Sequence, residues 1–231
     1  MSKYKIAKGD CLQKLEGVTD NSVDLIVTDP PYNISKDNRL KSMGRSGIDF
    51  GEWDHDADLT SWIKEGARVL KPGGAMVIFN SWLNLRSIAN ACEDNGLTVK
   101  DVLRWEKNNP MPRNRDRRYI VDYEFALWVV KKGKWTFNRQ DEKYQRPKFV
   151  YPVPNGKKRV HPTQKPVELM EELIKIHSNE NDIVLDPFMG SGSTGVASLN
   201  LGRKFIGIEL NDKYFDIAKN RLEETKRRLV V

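Results

Sequence analysis

At 231 residues the chain is long enough to bury a sizeable core as one α/β domain carrying a small insertion. Its 39% hydrophobic and 31% charged composition is that of a soluble globular protein, and no apolar run approaches the roughly 18 residues of a membrane span. Lys and Arg number 39 against 32 Asp and Glu, a net +7 that suits a polyanionic partner without identifying one.

The two cysteines, Cys11 and Cys92, show neither CxxC nor Cys/His spacing, which argues against a disulfide framework and a zinc site. The opening MSKYKIAKGD lacks the apolar core of a signal peptide, so the expected location is the cytoplasm.

In chain order, KYKIA (3–7) predicts a strand and CLQKLE a short helix. VDLIV (23–27) is an apolar run of the kind buried on both faces of a sheet. It ends in TDPPYN (28–33), followed by a polar stretch over 34–57 that is too long for an idle connection. A helix is expected over 59–70, stopped by KPGG, then a strand at 75–79 and a helix over 83–95 closed by Gly96. VLRW (102–105) and YEFALWVV (123–130) read as a strand pair on one edge. The segment 166–178 reads as a helix with proline at its first position, 182–186 as a strand and DPFMGSGSTG as a glycine-rich turn. A helix, the strand FIGIE (205–209) and a charged helix over about 212–228 complete the chain. The alternation predicts a doubly wound, mostly parallel α/β sheet with helices on both faces.

One compositional shift stands out. Residues 131–160 hold ten Lys or Arg against two Asp or Glu, a net +8 that exceeds the charge of the whole chain. The positive charge is therefore concentrated, and the remainder is close to neutral.

DPFMGSGSTG follows a strand and opens a helix, a place where backbone N–H groups approach a ligand closely. Glu209 ends the next strand, 23 residues after Asp186, where a carboxylate accepts hydrogen bonds from ribose hydroxyls. A pyrophosphate site prefers no carboxylate facing the phosphates, yet Asp186 begins this turn. A ligand with an ammonium group and a nucleoside fits better, which favours S-adenosylmethionine (SAM) over NAD.

TDPPYN adds chemistry. An exocyclic base amine is a poor nucleophile because its lone pair is delocalised into the ring. Methylating it requires acceptors that hold the N–H bonds so that the lone pair faces the methyl donor. Asp29 offers a carboxylate, Pro30 a carbonyl in a turn stiffened by Pro31, and Tyr32 a ring that stacks on the base.

These motifs resemble the DNA amino-methyltransferases that act on adenine N6 or cytosine N4, in the subgroup whose DPPY motif precedes the SAM motif. The resemblance runs from KGDCLQKL through TDPPYN and HPTQKP to DPFMGSGSTG and IGIEL, with Asp29 157 residues before Asp186. It implies a circularly permuted, seven-stranded, Rossmann-like methyltransferase sheet, with residues 1–231 as a single domain. Asp29, Pro30, Pro31 and Tyr32 would form the catalytic turn. Asp186, Phe188, Gly190, Ser191, Gly192 and Thr194 would shape the SAM pocket. Glu209 and Leu210 would lie at its ribose, Asp10 and Cys11 near its adenine, and Thr163 and Lys165 at its methionine end, where Lys165 would face the carboxylate. In this family an aspartate at the first motif position is commoner among adenine-N6 enzymes and a serine among cytosine-N4 enzymes, so Asp29 favours adenine.

A target base must leave the duplex to reach such a pocket. The resemblance puts the target-recognition region at about 107–160, with double-stranded DNA as partner. Arg113, Arg115, Arg117, Arg118, Lys134, Arg139, Arg146, Lys157 and Lys158 are its expected DNA contacts, with Trp135 and Tyr144 among them. So short a region fits a short recognition sequence or a homodimer, and a companion restriction endonuclease is a compatible partner. The stretch 34–57, with Trp53, would close over the base. The competing readings are cytosine-N4 methylation, an RNA or glutamine-amide substrate, a non-catalytic nucleic-acid-binding subunit and a nicotinamide-dependent oxidoreductase. No cysteine stands in a nucleophile context, against cytosine-C5 chemistry.

Overall fold

The computed structural model describes residues 3–32, 58–110, 116, 119–141, 143–156 and 164–229. The chain runs β1 (Tyr4–Lys8), α1 (Cys11–Leu15), β2 (Val23–Thr28), α2 (Ser61–Val69), β3 (Leu70–Asn80), α3 (Leu85–Asp94), β4 (Leu97–Glu106) and β5 (Tyr123–Lys131). It continues through β6 (Lys148–Val150), α4 (Val167–His177), β7 (Ile183–Asp186), α5 (Ser193–Asn200), β8 (Lys204–Glu209) and α6 (Asp212–Arg228). The strands form one sheet in the order β1-β8-β7-β2-β3-β5-β4-β6. Its pairings are parallel except where β5 lies antiparallel between β3 and β4.

The apolar runs explain the layering. In β2, Val23 and Ile26 pack with Leu15 of α1, Trp62 and Ile63 of α2 and Ile88 of α3. Leu25 and Val27 turn to the other face, against Leu169, Met170 and Leu173 of α4 and Ala197 of α5. β3 divides in the same way, with Met76 and Ile78 on the first face and Ala75, Val77 and Phe79 on the second. Both faces are covered, so each strand is continuously apolar where an edge strand would alternate. A smaller cluster of Met189, Phe205, Ala218 and Leu222 seats α6 beside β8.

The sheet has eight strands, one more than expected. The extra one, β6, is three residues with only Phe149 buried, too short for a periodic signal. It is held by its parallel pairing to β4 and by the flanking bonds from Arg104 N to Pro147 O (2.9 Å) and from Tyr151 N to Glu106 O (3.1 Å). KPGG ends α2 as expected, yet β3 starts at once at Leu70 and carries these residues past an irregularity in its pairing with β2. Gly73 there has φ +80°, and a Cβ on it would collide with the backbone of Lys134. Among the described residues, no helix is long and apolar enough to cross a membrane.

Candidate active site

The first three parallel strands in the sheet, β1, β8 and β7, meet β2 and β3 at the β7–β2 junction. β7–α5–β8 winds outward to one side there and β2–β3 to the other. Open α/β sheets bind ligands at the carboxyl ends of the strands beside such a reversal. Both motifs stand there: Asp186 ends β7, and Asp29 follows the last residue of β2. They are joined directly, because the buried Thr28 Oγ1 donates to Asp186 Oδ1 at 2.8 Å.

Thr194 Oγ1 donates to the other oxygen of Asp186 at 2.7 Å, and Phe188 N to Oδ1 at 3.1 Å. A carboxylate has about four lone-pair positions, so these three donors leave room for a ligand. Burial pushes Asp186 up to about 7, against the lowering effect of those donors. The turn itself needs glycine: Gly190 has φ +51° and Gly192 φ +81°, and a Cβ on Gly192 would come within 3.0 Å of Ala218 Cβ. Glu209 accepts from Gly190 N (2.8 Å) and Asn211 N (2.7 Å), fixing the tip of β8 to the turn, and its burial raises it above the ordinary carboxylate range. From α6, Arg221 donates to the Ser191 carbonyl at 2.5 Å and to its hydroxyl at 3.2 Å.

A cavity of about 850 Å³ opens over this turn. Among the described residues lining it are six carboxylates (Asp10, Asp29, Asp58, Asp186, Glu209 and Asp212) against two lysines, Lys165 and Lys213. That acidic lining opposes a pyrophosphate and suits a cofactor bearing an ammonium and a sulfonium. Phe188, packed edge-to-face on Trp62 at 5.6 Å between centroids, gives the apolar wall that an adenine ring needs. The residues present fit SAM.

Asp10 lies in the lining and caps α1, accepting from Leu12 N (3.0 Å) and Gln13 N (3.2 Å). Cys11 and Leu210 also line the cavity. Burial pushes the Cys11 thiol up to about 12, so it is no thiolate at neutral pH.

The DPPY turn is held by charge. Asp29 accepts from Tyr32 Oη at 2.6 Å and from Lys165 Nζ at 2.5 Å. Lys165 also pairs with Glu124 at 3.1 Å, and the other oxygen of Glu124 pairs with Lys107 at 2.7 Å. Burial and the nearby Glu124 raise Asp29, while the Lys165 ammonium opposes them. Despite its burial, Glu124 is held down to about 2 by Lys165 and Lys107, so it carries a charge throughout the neutral range. Pro30 is buried, and the Tyr32 carbonyl accepts from Asn84 Nδ2 at 2.8 Å. Asn84 in turn donates to Asn80 at the end of β3, which anchors the turn to the neighbouring strand.

Lys165 thus meets Asp29 and Glu124, and it also lines the cavity in which the sequence reading set it opposite a cofactor carboxylate. Glu124, Arg221 and Thr28 were not singled out by sequence reasoning, since each is an ordinary residue of a strand or helix until the sheet brings it to the site.

The basic residues divide. Arg113, Arg115, Arg117, Arg118, Lys157, Lys158 and Thr163 lie outside the described residues, as do 34–57. Lys107 and Asp122, which flank the first group, are hydrogen-bonded to each other at the carboxyl end of the sheet, beside Glu124. Lys134 and Arg139 are elsewhere. β5 runs antiparallel, so its end at Lys131 lies roughly 25 Å from its start at Tyr123. The backbone of Lys134 touches Gly73 at the start of β3, and Asn138 binds the carbonyls of Lys175 and Ile176 at the end of α4. Arg146 lines a small cavity with Asp101 and His177 on the same side. The structure does not bring these three together with Asp29.

The DNA methylase family model matches residues 23–220. Type II methyltransferase M.HinfI of Haemophilus influenzae is 36% identical over a 247-residue alignment covering 96% of this chain and 68% of that protein. Type II methyltransferase M2.LlaDCHI of Lactococcus lactis subsp. cremoris is 34% identical over 240 residues, covering 95% of this chain and 89% of that protein. The crystal structure of the M1.HpyAVI–SAM complex superposes with a TM-score of 0.77 at 45% identity, over 95% of this chain and 98% of its own. The chain belongs to the DNA methylase family, the SAM-dependent amino-methyltransferases of DNA.

Proposed function

We propose that the protein methylates the exocyclic N6 amine of adenine in double-stranded DNA, after the base has swung out of the helix into the cavity mouth beside Asp29. The observation that carries this reading is the Asp29 carboxylate at the end of β2, next to the SAM-type pocket and tied through Thr28 to Asp186. The family preference for aspartate at this motif position among adenine enzymes supports the choice of base.

SAM, when bound, supplies an electrophilic methyl carbon on its sulfonium. Asp186 and Glu209 would hold the ammonium and the ribose. Asp29 and the Pro30 carbonyl accept from the two N–H bonds of the amine, turning the nitrogen lone pair toward the methyl group. Asp29 would stabilise at close range the positive charge that the amine nitrogen acquires on methylation. The amine then releases one proton, and a carboxylate raised by burial is suited to take it. Tyr32 stacks on the base once its hydroxyl leaves Asp29.

The DNA lies across the carboxyl end of the sheet. The 107–122 connection begins and ends there, and Trp82, Tyr119 and Val121 expose 65%, 96% and 60% of their surface. Exposed apolar side chains at such a rim suit the displacement of stacked bases. By likeness to type II methyltransferases, a companion restriction endonuclease is expected.

Digestion of DNA methylated by the purified protein, followed by mass analysis of its nucleosides, tests the reading. N6-methyladenine is expected. N4-methylcytosine in its place would overturn the base assignment, and no methylated nucleoside would overturn the activity.

A further inference from the structure

Lys165 is only 5% exposed and has two carboxylates on it, Asp29 at 2.5 Å and Glu124 at 3.1 Å. One acid suffices to neutralise a buried ammonium, and the rings of Phe79 and Tyr32, 5.2 and 5.5 Å away, already favour the cation. The second acid needs another reason. We propose that Glu124 is a positioning residue for methyl transfer: by sharing the Lys165 ammonium, it draws that cation partly off Asp29 and leaves an Asp29 oxygen able to accept from the target amine. The proposal rests on the reading of Asp29 as the amine acceptor.

Charge balance at the transition state supplies the reason. The amine nitrogen acquires positive charge as the methyl group arrives, so the field around Asp29 must be negative. Asp29 and Lys165 alone form a neutral pair, and the ammonium next to Asp29 opposes the new charge. With Glu124 the three groups sum to −1, and the ammonium is drawn partly away from Asp29. Lys107 pairs with the far oxygen of Glu124 at 2.7 Å, the oxygen that Lys165 does not face, so its charge stands outside this group of three. Tyr32 Oη also faces the ammonium, at 3.4 Å.

The placement also fits. Glu124 stands on β5, two strands away from β2, and Lys165 reaches it from the approach to α4. Buried ion pairs add little stability over apolar packing, so a buried pair ending on the reactive acid is better explained by chemistry.

The test is Glu124→Gln beside Glu124→Asp in the full chain. It measures kcat for methyl transfer to DNA, Kd for SAM by titration calorimetry, and thermal melting. The expected result for Glu124→Gln is a kcat lowered tenfold or more with Kd within twofold of the parent, while Glu124→Asp, which restores the charge, recovers part of kcat. A Glu124→Gln kcat within twofold of the parent would overturn the proposal. So would parallel loss of kcat and SAM affinity, or equal damage from both variants, since either marks a role in the pocket or the fold. Asp29→Ala run alongside separates the two claims. Near-normal activity of Asp29→Ala removes the underlying site, whereas loss at Asp29 with none at Glu124 removes this inference alone.

Discussion

Thr28 and Asp186, 158 residues apart in the chain, share a buried hydrogen bond of 2.8 Å between adjacent strands. It couples the DPPY turn after β2 to the glycine turn after β7, so their relative position is set by sheet register and one hydroxyl. Thr28→Val keeps the shape and removes the donor. A buried carboxylate that loses one of three donors forfeits roughly 1–2 kcal/mol. SAM affinity measured by calorimetry is expected to fall about tenfold, with a lowered melting temperature. Unchanged binding would separate the two turns energetically.

Asp186 gives a pH dependence. Its pKa lies at about 7 in the ligand-free protein, above the 3.8 expected of the unfolded chain. The folded state therefore binds the extra proton between those values, and this group's contribution to stability declines as pH rises from about 4 to 7. An ammonium ligand prefers the ionised form. SAM affinity should thus rise with pH by up to roughly tenfold per unit below 7, level off, and decline above about 8 as the cofactor's amino group loses its proton. In Asp186→Asn the acid limb should vanish. A limb that persists in that variant would place the titration elsewhere.

Gly192 is a constrained position of the glycine turn, with φ +81° and Ala218 closing the space a side chain would need. Gly192→Ala is expected to cost about 1–3 kcal/mol in backbone strain and crowding. A melting curve and a SAM titration together check this. Normal values of both would mean that the turn adjusts freely.

Much of this was legible in the sequence because it is written locally. The apolar runs of β2, β3 and β7, the glycine turn and the DPPY motif each announce themselves within about ten residues, and the sheet then places them side by side. β6 was missed because three residues with only Phe149 buried carry no period, and only its partner strand makes it a strand. Glu124 was missed because a lone acid beside an apolar run reads as a solvated strand end. Its meaning comes from Lys107 and Lys165, 17 residues before it and 41 after it. The place of the basic stretch was hidden for the converse reason. Lys134 and Arg139 follow β5 in the sequence, and antiparallel β5 carries them away from the carboxyl end of the sheet, where Lys107 and Asp122 stand.

That placement is testable. Lys134→Ala and Arg139→Ala should leave DNA affinity within about twofold of the parent. Joint replacement of Arg115, Arg117 and Arg118 should weaken it and lower the salt dependence by roughly 0.9 for each phosphate no longer neutralised. Fluorescence anisotropy with a labelled duplex across a salt series checks both. Strong loss at Lys134 or Arg139 would move the DNA to the opposite end of the sheet.

The most direct test concerns Asp29. Transfer of labelled methyl groups to DNA should be abolished in Asp29→Ala, while SAM titrates with an affinity within a few-fold of the parent, because Asp186, Glu209 and the glycine turn are untouched. An Asp29→Ala protein that still methylates DNA at a near-normal rate would contradict the account.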